Sequence, residues 1–169
     1  DILTGKLCPC GKLSQTWAQA HDDTPAKANF GGEGRNVEYR EGLYVGYRYY
    51  QTAGVPVAFP FGYGLSYTSF DWKVTDTTAN GSALTKDGNV TVKVAVTNTG
   101  DRAGKDVVQL YYIAPYTAGE IEKSSVELGA FAKTKELAPG ESEEVALTVP
   151  VSDMASYDAY DANHNGFTG

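Results

Sequence analysis

From residue 66 onward, apolar and polar residues alternate in short runs. In NVTVKVAVT (89–97), Val90, Val92, Val94 and Val96 share one face, and Thr91, Lys93, Ala95 and Thr97 the other. A strict period of two predicts a strand with one buried face. DVVQLYYI (106–113) sets Val108, Leu110 and Tyr112 against Val107, Gln109 and Tyr111, and Pro115 ends the run. SEEVALTVPV (142–151) alternates again, with Val145, Leu147, Val149 and Val151 inward. VELGAFAKT (126–134) and SYTSFDWKVTD (66–76) complete a set of strands. NTGDRAG after the first run and the Pro-Gly of LAPGES (137–142) supply turns.

Strands at short spacing with no amphipathic helix between them predict an antiparallel β-sandwich. Five strands are evident, with SYDAY (156–160) a sixth candidate. A sandwich of the immunoglobulin or fibronectin type needs about seven. The expectation is a mainly β chain whose sandwich lacks its last strand or strands. Inward residues such as Val94, Leu110 and Leu147 are then expected to lack part of their cover.

The first half is less regular. DILTGKL reads as the end of a helix and KLSQTW as a strand, while residues 21–38 form a long loop. YREGLYVGYRYY supports two patterns. Leu43, Val45, Tyr47 and Tyr49 fit a strand, whereas Tyr44, Tyr47 and Arg48 share a helical face. Seven of the twelve tyrosines lie between Tyr39 and Tyr67, among glycines, Phe59 and Phe61. Beyond Trp72 the chain turns Val/Thr-rich. The domain boundary is therefore placed between residues 64 and 72.

The chain has 169 residues, enough for one domain or one domain and part of another. It lacks an initiator Met and reads as a mature or excised segment, so no compartment is assigned. The formal charge of −7 is carried by residues 71–169, with eight Lys/Arg against fifteen Asp/Glu. An acidic half repels phosphate and argues against nucleic acid and anionic membrane as partners. No apolar run approaches the ~20 residues that span a bilayer.

Candidate chemistry is sparse. Cys8 and Cys10 flank Pro9, where a disulfide across one residue is strained, and they read as free or packed thiols. His21 and His164, the two histidines, offer no metal set with them. Asp22/Asp23 and Glu38/Glu41 are the carboxylate pairs of the first half, both in polar, solvated stretches. Glycine-flanked aromatics between Tyr39 and Tyr67 can stack on sugars or fill a domain junction, and the junction is favoured. In that reading Tyr63 and Tyr67 are buried core. Asp161, Asn163, Asn165 and Gly166 match the opening of a calcium loop but read better as an Asn-Gly turn. Asn80-Gly-Ser and Asn89-Val-Thr match glycosylation triplets.

YREGLYVGYRYY (39–50) and FPFGYGLSYTSF (59–70) resemble the C-terminal portion of family 3 glycoside hydrolases, the β-glucosidase family. DILTGKLCPCGKLSQTW is similar to that family's D-x-L-x-G-x-x-N-P-S-G-K-L-P-x-T segment, with Cys8-Pro9-Cys10 replacing Asn-Pro-Ser and Ser14 replacing Pro. ELAPGESEEVALTV resembles its L-x-P-G-E-S turn. The resemblance implies that residues 1–65 are the tail of an α/β sandwich domain plus an aromatic, Gly-rich connector. Residues 66–169 are then a fibronectin III-like sandwich. It also implies a β-glucosidase-like retaining exo-hydrolase as the parent, with a (β/α)8 barrel and an α/β sandwich domain as this chain's partners and a carbohydrate as substrate. No position matches the family's nucleophile or acid/base motif, so no catalytic residue, metal site or cofactor is expected in this chain, which alone should be inactive. Substrate-binding residues are left unassigned. A carbohydrate-binding or purely structural sandwich is the alternative, and self-association through an open sheet edge is a further expectation.

Overall fold

A computed structural model describes residues 1–31, 35–81, 83–158 and 166–168, the last three by their backbone. The chain divides into two compact units. One is built from Asp1–Gly11, Gly64–Tyr112 and Leu128–Gly169, the other from Lys12–Tyr63 and Ile113–Glu127.

The first unit carries the β-sandwich. Strands β3 (Phe70–Thr77), β4 (Asn89–Asn98) and β7 (Ser142–Pro150) form an antiparallel sheet in the order β3-β4-β7. Strands β5 (Val107–Tyr112) and β6 (Glu127–Lys133) form a second, two-stranded sheet. All five strands predicted from alternation are present. The mechanism is the expected one: Val90, Val94 and Val96 of β4 are buried, as are Val108 of β5 and Val145, Leu147 and Val149 of β7. Val94, Val96, Val108, Leu137, Val145 and Leu147 make one core cluster, against which Phe70, Val92, Leu110, Ala130 and Ala132 pack. Burying each such side chain contributes about 1.5–3 kcal/mol, the main stabilisation of the unit.

Two expectations are corrected here. Val94 and Leu147 do not lack cover: they are 6% and 2% exposed, because Val108, Leu110, Ala130 and Ala132 from the β5–β6 sheet pack on the cluster. The sixth candidate, SYDAY, is a strand over Ser156–Asp158, and a further strand follows it. β8 (Ser156–Asp158) pairs antiparallel with β9 (Gly166–Thr168), a strand absent from the sequence reading. Main-chain hydrogen bonding needs no alternation of side chains, so this short ribbon has no hydrophobic signature. Among the described residues, both strands pair only with each other. Asp161, Asn163 and Asn165 of the calcium-like stretch, His164, and Ser82 of one glycosylation triplet lie outside the described residues.

The turns of this unit are pinned by a buried amide. Asn98, at the end of β4, is 0% exposed. Its Nδ2 donates to the carbonyls of Arg102 (2.7 Å) and Leu137 (2.8 Å), and its Oδ1 accepts from Thr68 Oγ1 (2.6 Å) and the Gly100 N–H (3.1 Å). Leu137, also 0% exposed, sits in the LAPGES turn and exchanges backbone hydrogen bonds with Gly104. Gly129 of β6 lies against Val149, where an added Cβ would stand 2.7 Å from Val149 Cγ2.

The second unit holds less regular structure. β1 (Trp17–Ala18) pairs antiparallel with β2 (Val57–Phe59), so of the predicted KLSQTW strand only Trp17 is extended in a sheet. YREGLYVGYRYY follows neither pattern throughout: residues 39–46 are turns and irregular backbone, and only Tyr47–Tyr50 enter a helix, α1 (Tyr47–Ala53), which leaves Tyr44 outside it. The helix starts after Gly46 at φ 57° and stops at Gly54, which takes the left-handed conformation (φ 65°) and donates its N–H to the Tyr50 carbonyl. Glycine suits both ends because a side chain there would be strained. Of the predicted loop, residues 24–31 are bends and turns that follow one 3₁₀ turn at His21–Asp23, and residues 36–38 are irregular. In the other unit DILTGKL is also a set of turns, closed by Gly5 and Lys6 N–H bonds to Ile2 and Asp1 carbonyls, and not a helix end.

Candidate functional site

In the second unit the aromatic segment forms a braced cluster. Tyr47 and Arg48, adjacent on α1, both reach Glu127 from the far end of the unit's sequence. Arg48 Nε donates to Glu127 Oε2 at 2.6 Å, and the Tyr47 hydroxyl donates to the same oxygen at 3.3 Å. Ser124 Oγ, on a residue 3% exposed, lies 2.9 Å from Oε1. The Arg48 guanidinium also stands 5.7 Å from the centre of the Tyr47 ring, whose face attracts cations. Burial opposes the Arg48 charge, but the hydrogen bond and charge of Glu127 outweigh it and raise its pKa. With both oxygens engaged, Glu127 is a structural brace. Nothing in the local sequence flags it, because its partner lies 79 residues away.

The segment Ile113–Glu127 makes further bonds to α1 and to Tyr44 before it. Thr52 Oγ1 accepts the Ser125 N–H at 2.9 Å, and the Tyr44 hydroxyl lies 3.5 Å from the Lys123 carbonyl. Burial, then the charge of Glu122 and the neighbouring Tyr116, raise the Tyr44 pKa. Tyr47 packs on Phe61 with ring centres 5.1 Å apart, and Phe59 bridges Trp17 (6.3 Å) and Tyr63 (4.9 Å).

A pocket of about 360 Å³ opens beside α1, lined by Pro25, Arg40, Glu41, Tyr44, Tyr49, Thr52 and Ala53. This is the lower end of the ~300–1,000 Å³ range of small-molecule sites. Glu41 Oε2 is buried and has no hydrogen-bond partner among the described residues.

The carboxylates singled out in the sequence separate here. Asp22 is exposed and pairs with Lys27 at 2.8 Å, and Asp23 accepts the Ala20 N–H to close the 3₁₀ turn. Glu38 is exposed and paired with Arg40. Glu41 departs from the solvated reading, since it lines the pocket. Cys8 and Cys10 are free, half-buried thiols in the first unit, where Cys8 Sγ lies 3.3 Å from Ser66 Oγ and accepts the Tyr67 N–H. Tyr63 and Tyr67 are not buried core. They are 38% and 43% exposed and belong to different units. Tyr67 donates to the Ile2 carbonyl at 3.0 Å. Among the described residues, no three His, Cys, Asp or Glu side chains group as metal ligands, and no helix is long and apolar enough to cross a membrane.

Comparison with known proteins agrees with the sandwich. Residues 106–164 match the fibronectin type III-like domain. Over 93% of its length the chain is 44% identical to β-glucosidase A of Butyrivibrio fibrisolvens, of which it covers 20%. Among solved structures, a β-glucosidase from Paenibacillus barengoltzii superposes with a TM-score of 0.86 at 51% identity, over 96% of this chain and 17% of that one. The GH3 β-glucosidase of Bifidobacterium adolescentis superposes with a TM-score of 0.84 at 36% identity, over 99% and 23%. The chain thus spans about a fifth of the length of the relatives it matches. In sequence and in fold it belongs with the C-terminal, fibronectin III-like region of the β-glucosidases of glycoside hydrolase family 3.

Proposed function

We propose that this chain is the non-catalytic scaffold of a retaining exo-glycoside hydrolase acting on β-glucosides. The observation that carries this reading is the alignment of nearly the whole chain with only a fifth of β-glucosidases. Retention by double displacement needs two carboxyl groups about 5–5.5 Å apart, one as nucleophile and one as acid/base. Glu127 is committed to Arg48 and Ser124, and Glu38 to Arg40 in solvent. Both catalytic carboxylates then come from the parent's barrel and α/β sandwich domains. In this reading residues 1–65 are the tail of the α/β domain with its connector, and residues 66–169 the fibronectin III-like module, which further strands of the parent complete. The ribbon β1–β2 fits such a role. A two-stranded ribbon is marginal alone, and it presents Trp17, Phe59 and Tyr63 at 50%, 40% and 38% exposure for a neighbouring domain to cover.

The test is complementation. The chain, assayed alone on a chromogenic β-glucoside, should show no turnover. Added to the rest of its parent as a separate polypeptide, it should restore hydrolysis. Turnover by the isolated chain that disappears in Glu41→Gln would overturn the scaffold reading.

One observation favours a second reading, carbohydrate binding. The Glu41 pocket pairs tyrosine walls with an unpartnered buried acceptor, a combination suited to a hydroxyl-rich ligand. Titration calorimetry with glucose and cellobiose decides it: heat lost on Tyr44→Ala and Glu41→Gln supports a sugar site, and no heat from the native chain excludes one.

A further inference from the structure

The open edge of β3 carries a second, independent signal. Among the described residues, β3 has a neighbour, β4, on one side only. The Thr99 N–H bonds to the Ser69 carbonyl, and the ladder continues as Phe70↔Asn98, Asp71↔Thr97, Trp72↔Val96, Lys73↔Ala95 and Val74↔Val94. Antiparallel ladders alternate hydrogen-bonded with non-hydrogen-bonded pairs. Asp71 and Lys73 therefore spend their backbone groups on β4, while Phe70, Trp72 and Val74 turn N–H and C=O outward. Trp72 and Val74 sit opposite the core residues Val96 and Val94, yet are 47% and 59% exposed. A bulge follows Val74, so the regular edge is confined to residues 70–74.

We propose that this edge pairs with the same edge of a second copy of the chain, antiparallel about a two-fold axis through Trp72. An isologous contact needs a self-complementary edge. Hydrogen-bonded pairs can form only between outward-facing residues, which allows registers centred on Phe70, Trp72 or Val74. The register centred on Trp72 alone sets Asp71 against Lys73 of the second copy, twice, and Phe70 against Val74. Centring a non-hydrogen-bonded pair on Asp71 or Lys73 puts like charges face to face, which destabilises a ladder. A lysine on an edge ordinarily repels a second edge. Asp71, two residues away on the same face, converts that repulsion into a code for one register. Asp71 and Lys73 have no ion pair of their own among the described residues. The result is a continuous sheet β7-β4-β3-β3-β4-β7 with the two tryptophans side by side. Five residues a side make a small interface, so the dimer is weak and concentration-dependent.

Sedimentation velocity over a concentration series tests this on the 169-residue chain. The native chain should show a reversible monomer–dimer equilibrium. Asp71→Lys and Lys73→Asp, each of which makes both cross-strand pairs like-charged, should weaken it about tenfold or more. The double variant Asp71→Lys/Lys73→Asp should restore it. An equimolar mixture of the two single variants should form the heterodimer, since one variant then presents lysine at both positions and the other aspartate at both. Circular dichroism of each variant checks that the fold is kept. A native chain that stays monomeric at millimolar concentration, or a dimer indifferent to the single charge reversals, overturns the proposal.

Discussion

Asn98 offers the sharpest test of how the sandwich is held. Its side chain makes four hydrogen bonds that tie together Thr68, Gly100, Arg102 and Leu137, reinforcing the end of the β3–β4 ladder and the Gly104–Leu137 bridge. A net contribution of about 0.5–1.5 kcal/mol per bond sums to about 2–6 kcal/mol. Part of that is recovered in Asn98→Ala, because the Leu137 carbonyl keeps its bond from the Gly104 N–H and the outer groups can reach water. A loss of about 2–4 kcal/mol is expected, a melting-temperature drop of roughly 5–15 °C for a chain of this size. Asn98→Asp is the more telling variant. It keeps the two accepted bonds but turns a donor into a carboxylate facing two carbonyl oxygens. Burial and those carbonyls raise the folded-state pKa of the new carboxyl above its unfolded value. A group whose folded pKa is raised contributes most below its unfolded pKa and loses that contribution as pH rises through the folded one. Asn98→Asp should therefore be less stable than Asn98→Ala at about pH 7 and recover relative to it towards about pH 4. Urea unfolding at both pH values checks this. A cost under about 1 kcal/mol for Asn98→Ala, or an Asn98→Asp deficit independent of pH, would refute the view of Asn98 as a buried staple.

Arg48→Met should destabilise the second unit by about 1.5–3 kcal/mol, the range for hydrogen bonds to charged groups, measured by urea unfolding followed through tyrosine fluorescence. Gly129→Ala should cost about 1–3 kcal/mol by overpacking against Val149, and Gly129→Ala/Val149→Ala should cost less than the two single losses added. Tyr63→Ala should cost well below the ~3–5 kcal/mol of a fully buried aromatic, because the ring is partly exposed; thermal melts check this. The Glu141 pKa is lowered by the hydrogen bond from Lys135, then by the Ala138 N–H and the Lys135 charge. A depressed carboxyl contributes stability above its unfolded value, lost as pH falls through the folded one. Glu141→Gln should therefore melt below the native chain at about pH 7 and converge with it in acid.

The division of information between sequence and tertiary structure follows from the range of the forces. Strands β3 to β7 were legible because a sheet with one buried face imposes a period of two on residues that are neighbours in sequence. Val94, Val96, Val108 and Leu147 could be placed in the core on that ground alone. The family resemblance rested likewise on contiguous motifs. The cover over Val94 and Leu147 was not legible, because it comes from Leu110, Ala130 and Ala132 on another sheet, and alanines carry little hydrophobic signal. Leu137 is buried without any periodicity, through a turn held by Asn98 and Gly104. For YREGLYVGYRYY both periods fitted, and the confinement of the helix to Tyr47–Ala53 fell to backbone geometry at Gly46 and Gly54. Glu127 and Arg48, 79 residues apart, could be matched only once the chain had folded, because any of several carboxylates had the charge to pair with Arg48. Local patterning dictates which residues must leave water; which distant groups satisfy one another once they have left is settled by the packing that brings them within a few ångströms.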